Sequence, residues 1–280
     1  MLPIDWNVAI NYANLVKIAE GVAPTAAYGA AEINQISALG YTFLQQIYGD
    51  DLATDINAHI GDVVSFGFLA VSATKELVAV VRGTDTIWEW IHDASFLMVP
   101  CPIPGAHGCT EDGFTAVYRS LRVGAVNTSL AAVASIKSYV DTGAATAVTV
   151  TGHSLGGALA TLLTIDVALN TSCKAPVSYT FASPRTGDHI FAGAYNATVA
   201  SSYRIANRQD IVPKVPAILP LPYEHVNTQF ELNPPPNSIN PTLACMHHLT
   251  SYLYLMSLLA GIGAYPLDAD CVTMGVTSSV

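Results

Sequence analysis

Fourteen residues in the middle of the chain constrain it more than anything else: Ala147-Val-Thr-Val-Thr-Gly-His-Ser-Leu-Gly-Gly-Ala-Leu-Ala160. They contain a G-x-S-x-G pentapeptide, Gly152-His153-Ser154-Leu155-Gly156. The β-branched run before it predicts a strand over 148–151, and the small apolar run after it a helix over 155–169. A serine between the two sits on a sharp strand-to-helix turn, in a strained conformation that exposes its Oγ. Glycines at 152 and 156 let strand and helix approach where any Cβ would clash. The Leu155 N–H then lies at the positive end of the new helix, aimed at a carbonyl under attack.

A serine hydroxyl is a weak nucleophile. It needs a general base within hydrogen-bond reach and an acid that orients the base. After such a turn the acid comes next along the chain and the histidine last, each following a strand. Asp210 ends the strand-like Arg204–Asp210 and is the candidate acid, because a carboxylate just past a strand's C-terminal end lies on the catalytic edge of a parallel sheet. Its rival Asp188 reads as the N-cap of the following helix, and Asp166 is disfavoured inside the nucleophile helix. The histidines after the serine are His189, His225, His247 and His248. His189 precedes Asp210 and is out of order, and His225 reads as packed beside the site. His247 and His248 follow a Pro-rich loop and open the terminal helix. Residue chemistry does not separate these two.

An oxyanion needs a second donor besides Leu155. Gly83-Thr84 ends the strand predicted over 76–82, which makes the Thr84 N–H that donor. Ile87-Trp88-Glu89-Trp90-Ile91 follows, inside a loop insertion over 84–110. Trp88 and Trp90 read as a lid that contacts apolar substrate, with a tryptophan capping the core as the alternative.

Only 11% of the residues are charged, 51% are hydrophobic and the net charge is −10, with no Lys/Arg cluster. That excludes nucleic acid and polybasic attraction to anionic lipid, and it suits an apolar substrate. The apolar stretch Leu249–Leu267 carries Thr250, Ser251, Ser257, Gly261 and Gly263, and reads as a buried terminal helix rather than a membrane segment. No metal or cofactor is implied. Cys101 and Cys109 read as closing a short disulfide loop, Cys245 and Cys271 as a pair across the terminal helix, and Cys173 as left over. Two disulfides imply an oxidising compartment, with five buried free thiols as the alternative. With no secretory signal at the N-terminus, the chain is expected to be a secreted protein given in mature form, with an intracellular protein as the alternative.

Residues 1–280 read as a single domain in which strands alternate with helices, giving a mostly parallel sheet covered on both faces. Helices are predicted at 5–20, 30–48, 112–140 and 246–259, and further strands at 63–71, 177–182, 202–205 and 225–232, with a Pro-rich surface loop at 213–222.

As a set, these motifs resemble the class 3 lipases, the fungal-type lipase family of the α/β-hydrolase fold. The resemblance runs from Val81-Arg82-Gly83-Thr84, with Trp90 and Asp93 behind it, through Asp112-Gly113-Phe114 and the pentapeptide. It continues through Phe181–Asp188, Asn207–Pro213 and Tyr223-Glu224-His225 to His247–Tyr252. It implies Ser154 as nucleophile, Asp210 as acid, and Thr84 and Leu155 as oxyanion donors. It also implies His247 as base, because plant and bacterial members carry His-x-Leu/Met-x-x-Tyr there, matched by His247, Leu249 and Tyr252. Fungal members place the tyrosine three residues after the histidine, a spacing absent here. A histidine commonly stands where this chain has Asp112, and the loop 94–110 is longer than usual, at the border of the acyl groove. The implied activity is hydrolysis of acylglycerol esters through an acyl-enzyme. Feruloyl esterase and phospholipase A1 are alternatives within the class, and a catalytically silent lipid- or protein-binding hydrolase fold is the alternative outside it.

Overall fold

The computed structural model describes residues 3–51, 62–83, 96–124, 129–216, 222–226 and 228–273. Its centre is a run of parallel strands: β3 (Glu76–Val81), β8 (Ala147–His153), β9 (Val177–Phe181), β11 (Ser201–Asn207) and β13 (Gln229–Leu232). Antiparallel β2 (Asp62–Ser72) and β1 (Tyr41–Asp51) extend the sheet beyond β3, followed by the short β6 (Arg122–Val123) and β7 (Leu130–Ala131). Leu77–Val81 and Val148–His153 are buried without alternation, as strands covered on both faces must be.

One face carries α3 (Asp112–Ser120), α4 (Ala132–Asp141), α5 (Leu155–Asn170) and α6 (His189–Thr198). The other carries α1 (Trp6–Glu20), α2 (Ala30–Ala38) and α8 (Leu249–Ala260). Asp5 caps α1 by accepting the N–H groups of Asn7 and Val8, and Ile10, Leu15 and Ile18 are buried as their spacing predicts. α5 is buried all round from Leu155 to Ala168, so its sequence shows no amphipathic stripe.

Several expectations are corrected. The helix expected to 48 stops at Ala38, because Gly40 takes φ 92°, and β1 begins one residue later. The helix expected over 112–140 is two helices, α3 and α4, parted by β6, Gly124 at φ 102° and β7. The expected terminal helix breaks at His248 (φ −59°, ψ 135°) into α7 (Leu243–His247) and α8. Where a loop was expected, Met98–Pro100 (β4) and Cys109–Glu111 (β5) form strands of a second sheet with β10 (Gly187–Asp188) and β12 (Tyr223–Glu224). The strand expected over 225–232 is shorter, β13 at Gln229–Leu232, and the two residues before the expected start, Tyr223–Glu224, form β12 of the second sheet. Pro213 is buried rather than on a surface loop, in a 3-10 turn over Val212–Lys214.

The Cys245–Cys271 disulfide forms and joins α7 to the C-terminal segment. Cys101, Cys109 and Cys173 are thiols, so the Cys101–Cys109 pair is corrected. The β4–β5 register sets Pro100, not Cys101, opposite Cys109, and β4 ends there, so the two cysteines are not cross-strand partners. No helix among the described residues is long and apolar enough to cross a membrane.

Glu111 caps α3, its Oε2 accepting the Phe114 N–H at 2.7 Å, and is only 3% exposed. Burial raises its pKa to about 7, against the pull of the Phe114 and Gly113 N–H groups. The folded chain therefore binds a proton at Glu111 that the unfolded chain releases near pH 4.5, and stability falls as pH rises from there through about 7. Glu111→Gln keeps an acceptor for Phe114 without the charge. Thermal melts should show it more stable than the parent at pH 8, by up to about 3 kcal/mol, with the gain gone at pH 4.5. A pH-independent difference would assign the effect to packing.

Candidate active site

β8 delivers the chain to Ser154, which takes φ 57° and ψ −126° before α5 begins at Leu155. Such a backbone is costly for a residue with a Cβ and is held by its surroundings. The Ser154 N–H donates to Phe181 O on β9 at 2.9 Å, and Gly157 N–H donates to Ser154 O at 2.9 Å. A Cβ on Gly152 would lie 2.2 Å from the Gly156 carbonyl oxygen, and one on Gly156 would lie 2.3 Å from that of Val81. Both glycines are therefore required by close approach of strand, helix and β3. The end of β3 abuts the serine, since a Cβ on Gly83 would come within 3.2 Å of the Ser154 Cβ. Leu155 is the first residue of α5, so its N–H has no acceptor within the helix. Thr84, Trp88 and Trp90 lie outside the described residues.

Ser154, His247 and Asp210 are brought together from three elements. The Ser154 hydroxyl lies 2.8 Å from His247 Nε2, and His247 Nδ1 lies 2.8 Å from Asp210 Oδ2. Asp210 is 0% exposed. Its carboxylate also accepts the Val212 N–H at 2.9 Å and the Tyr252 hydroxyl at 2.8 Å. An acceptor-only carboxylate fixes the His247 tautomer: Nδ1 carries the hydrogen, and Nε2 is left to accept from Ser154. Burial pulls the His247 imidazole below its ordinary pKa, while the Asp210 carboxylate works against that pull.

The chain break at His248 separates the two adjacent histidines. His247 ends α7 and turns inward. His248 caps α8, its Nδ1 accepting the Thr250 N–H, with a side chain 47% exposed. His225 packs beside the site as expected, donating from Nε2 to Pro213 O just beyond Asp210. Burial, with Arg204 nearby, lowers its pKa to about 3, so it is neutral. Asp188 caps α6 by accepting the Phe191 N–H.

Four further residues complete the arrangement, of which sequence reasoning singled out only Tyr252, as the register mark for His247 and with no role of its own. The Tyr252 hydroxyl accepts the Asn207 N–H at 3.0 Å while donating to Asp210. Asn207 Nδ2 donates to Met246 O at 2.8 Å and so holds the last turn of α7. His153 places Nε2 2.9 Å from the His247 carbonyl oxygen and Nδ1 2.8 Å from Glu20 Oε1 on α1. The only sequence signal was position: His153 fills the first variable place of the pentapeptide, and Tyr252 follows His247 by five residues. Among the described residues no cluster of histidine, cysteine or carboxylate side chains could hold a metal ion.

The class 3 lipase family model matches residues 78–219, which include Ser154 and Asp210. Phospholipase A1-II 3 of Oryza sativa subsp. japonica is 31% identical over 228 residues, spanning 72% of this chain and 53% of that protein. Secreted mono- and diacylglycerol lipase A of Penicillium cyclopium is 31% identical over 175 residues, spanning 61% of this chain and 53% of that protein. The chain thus spans about half the length of these relatives. Among solved structures, the native Rhizomucor miehei lipase propeptide complex superposes with a TM-score of 0.61 at 24% identity, over 81% of this chain and 68% of that one. The nonglycosylated lipase of Yarrowia lipolytica gives 0.64 at 24% identity, over 86% and 84%. These likenesses identify the α/β-hydrolase fold, and together with the family match they establish that the chain belongs to the class 3 lipase family.

Proposed function

We propose that this chain hydrolyses carboxylic esters of acylglycerols through an acyl-enzyme on Ser154. One observation carries the reading: an unbroken hydrogen-bonded line from Ser154 through His247 to a fully buried Asp210, on a serine held at φ 57°. His247 Nε2 takes the hydroxyl proton as Oγ bonds to the ester carbonyl carbon. The carbonyl electrons move onto oxygen, where the Leu155 N–H at the start of α5 meets the new charge, with the Thr84 N–H as second donor. Asp210 keeps the imidazolium oriented. The oxyanion collapses, His247 hands its proton to the departing alcohol, and an acyl-Ser154 ester remains. Water, deprotonated by His247, then releases the acid and frees the serine. No step needs a metal or cofactor.

An ester lipid met at an oil–water interface is the substrate class, supported by relatives named as mono- and diacylglycerol lipases and phospholipase A1, and by the apolar composition. Trp88 and Trp90 form the lid in this reading. The Cys245–Cys271 disulfide and the secreted fungal relatives support an oxidising, extracellular setting. Phospholipase A1 activity is the second reading, because rice phospholipases A1 match over 72% of this chain.

The test is turnover of p-nitrophenyl esters from C2 to C16, beside emulsified tributyrin and a phosphatidylcholine emulsion. A preference for medium or long acyl chains, with a jump in rate once tributyrin exceeds its solubility, is expected. A peak at C2–C4 with smooth saturation would remove the interfacial lid, faster cleavage of phosphatidylcholine would favour the second reading, and no turnover would sink the assignment.

A further inference from the structure

The Glu20–His153 pair behind the serine has no part in the acyl-transfer scheme, yet it is built into the site. His153 Nδ1 faces the Glu20 carboxylate at 2.8 Å, and its Nε2 faces the His247 carbonyl oxygen at 2.9 Å. A carbonyl oxygen only accepts hydrogen bonds, and so does a carboxylate. A neutral imidazole has one N–H and cannot serve both. Either His153 carries two protons, or Glu20 is a neutral acid donating to Nδ1. A carboxyl group is the stronger acid of the two, so facing an imidazole at 2.8 Å it gives its proton to the ring, which favours the ion pair. The His153 ring lies 4.7 Å from the His247 ring, tilted by 31°.

Resting on the hydrolase reading above, we propose that His153 is a permanent imidazolium, paired with Glu20, that positions His247 through its backbone carbonyl and keeps it an unprotonated base in mildly acidic solution. Glu20 and His153 are positioning residues: neither touches the reacting atoms. A cation 4.7 Å from the base opposes the arrival of a second positive charge there. The directions of the shifts agree. Burial alone would lower the His153 pKa, but the Glu20 carboxylate outweighs it and holds it above the ordinary value. Burial alone would raise the Glu20 pKa, but His153 pulls it below the usual carboxylate range.

The other titratable groups around the two rings, among the described residues, do not replace this charge. Asp210 faces His247 from beyond β11 and acts in the opposite direction, as does the Glu20 carboxylate more weakly from behind His153. Tyr252 on α8 presents its ring 6.0 Å from that of His153 and gives its hydroxyl hydrogen to Asp210. His248 points to solvent, 4.0 Å from Asp268. Arg82 at the end of β3 directs N–H groups to the Val22 and Gly83 carbonyls.

The test is nitrogen NMR of histidine-labelled protein across pH 4–9, on the parent, His153→Gln and Glu20→Gln. In the parent, both His153 nitrogens should read as protonated at pH 7.5. His153→Gln keeps a donor for the His247 carbonyl without the charge, and should move the His247 titration up by about one pH unit. The acid limb of kcat/KM should move with it. Glu20→Gln, at the last residue of α1, should turn His153 neutral at pH 7 and move His247 the same way but by less, because the carboxylate that pulls in the opposite direction is lost with it. A parent His153 that is neutral at pH 7, or a His247 titration unmoved in the variants, would overturn the proposal. Because the spectra need no turnover, an inactive parent would sink the hydrolase reading while still deciding the ion pair.

Discussion

Ser154→Ala and His247→Ala should each reduce kcat toward p-nitrophenyl butyrate by about 10⁵-fold, and the double variant should lose little more. The reason is geometric. Ser154 Oγ and His247 Nε2 share one hydrogen bond of 2.8 Å, so neither is useful without the other. Alanine at 154 removes the atom that bonds to the acyl carbon. Alanine at 247 leaves a hydroxyl with no acceptor for its proton. The activity that survives comes from binding and oxyanion stabilisation, which both variants retain. His248→Ala, at the next residue along the same backbone, should stay within a few-fold of the parent, because its side chain points to solvent beside Thr250. Steady-state kinetics with an active-site titration of the parent decides the matter. Independent, multiplying losses, or a large loss in His248→Ala, would remove His247 as base.

Asp210→Asn should cost about 10⁴-fold in kcat with little change in KM. Its carboxylate accepts three hydrogen bonds, from His247, Val212 and Tyr252, in a fully buried position. An amide has one accepting oxygen and one donating nitrogen. With the oxygen kept by Val212 at the Oδ1 position, the nitrogen takes the Oδ2 position, facing both the Tyr252 hydroxyl and His247 Nδ1, and donates to the imidazole. That forces the imidazole hydrogen onto Nε2, where it repels the serine hydroxyl. Tyr252→Phe removes one donor of three and leaves the tautomer intact, so about a tenfold loss is expected, within the range of outer-shell partners. Asn207 N–H also loses its acceptor in that variant, which should show as a lower melting temperature. Equal losses in the two variants would mean that Asp210 acts only through packing.

The difference between what the sequence disclosed and what it hid follows the range of the interactions. The elbow at Ser154 was legible because strand, turn glycines and helix lie within fourteen consecutive residues. Asp210 was legible because it closes a strand. The choice between His247 and His248 was not, in bare chemistry: it rests on the extended backbone of His248, which breaks what the apolar pattern presents as one helix. The register of the resemblance pointed the same way. β1 was read as helix because Tyr41–Tyr48 has apolar residues at both spacings, and the stop at Gly40 was overlooked. The Cys101–Cys109 pairing failed on a one-residue offset in strand register, which a short spacing does not reveal. The Glu20–His153 contact spans 133 residues, with no local signal at either end.

The base's place near the end of the fold bears on how the protein is made. Ser154 and its strained turn leave the ribosome 93 residues before His247. At ordinary translation speeds of about 5–20 residues per second, that is roughly 5–20 s during which a nascent chain owns a nucleophile without a base. Tyr252, which steadies Asp210, and Cys271, which ties down α7, emerge later still. In the proposed hydrolase reading, competence is therefore withheld until α7 and α8 dock. A chain stalled or truncated before that point can fold much of its sheet and still hold Ser154 without its base.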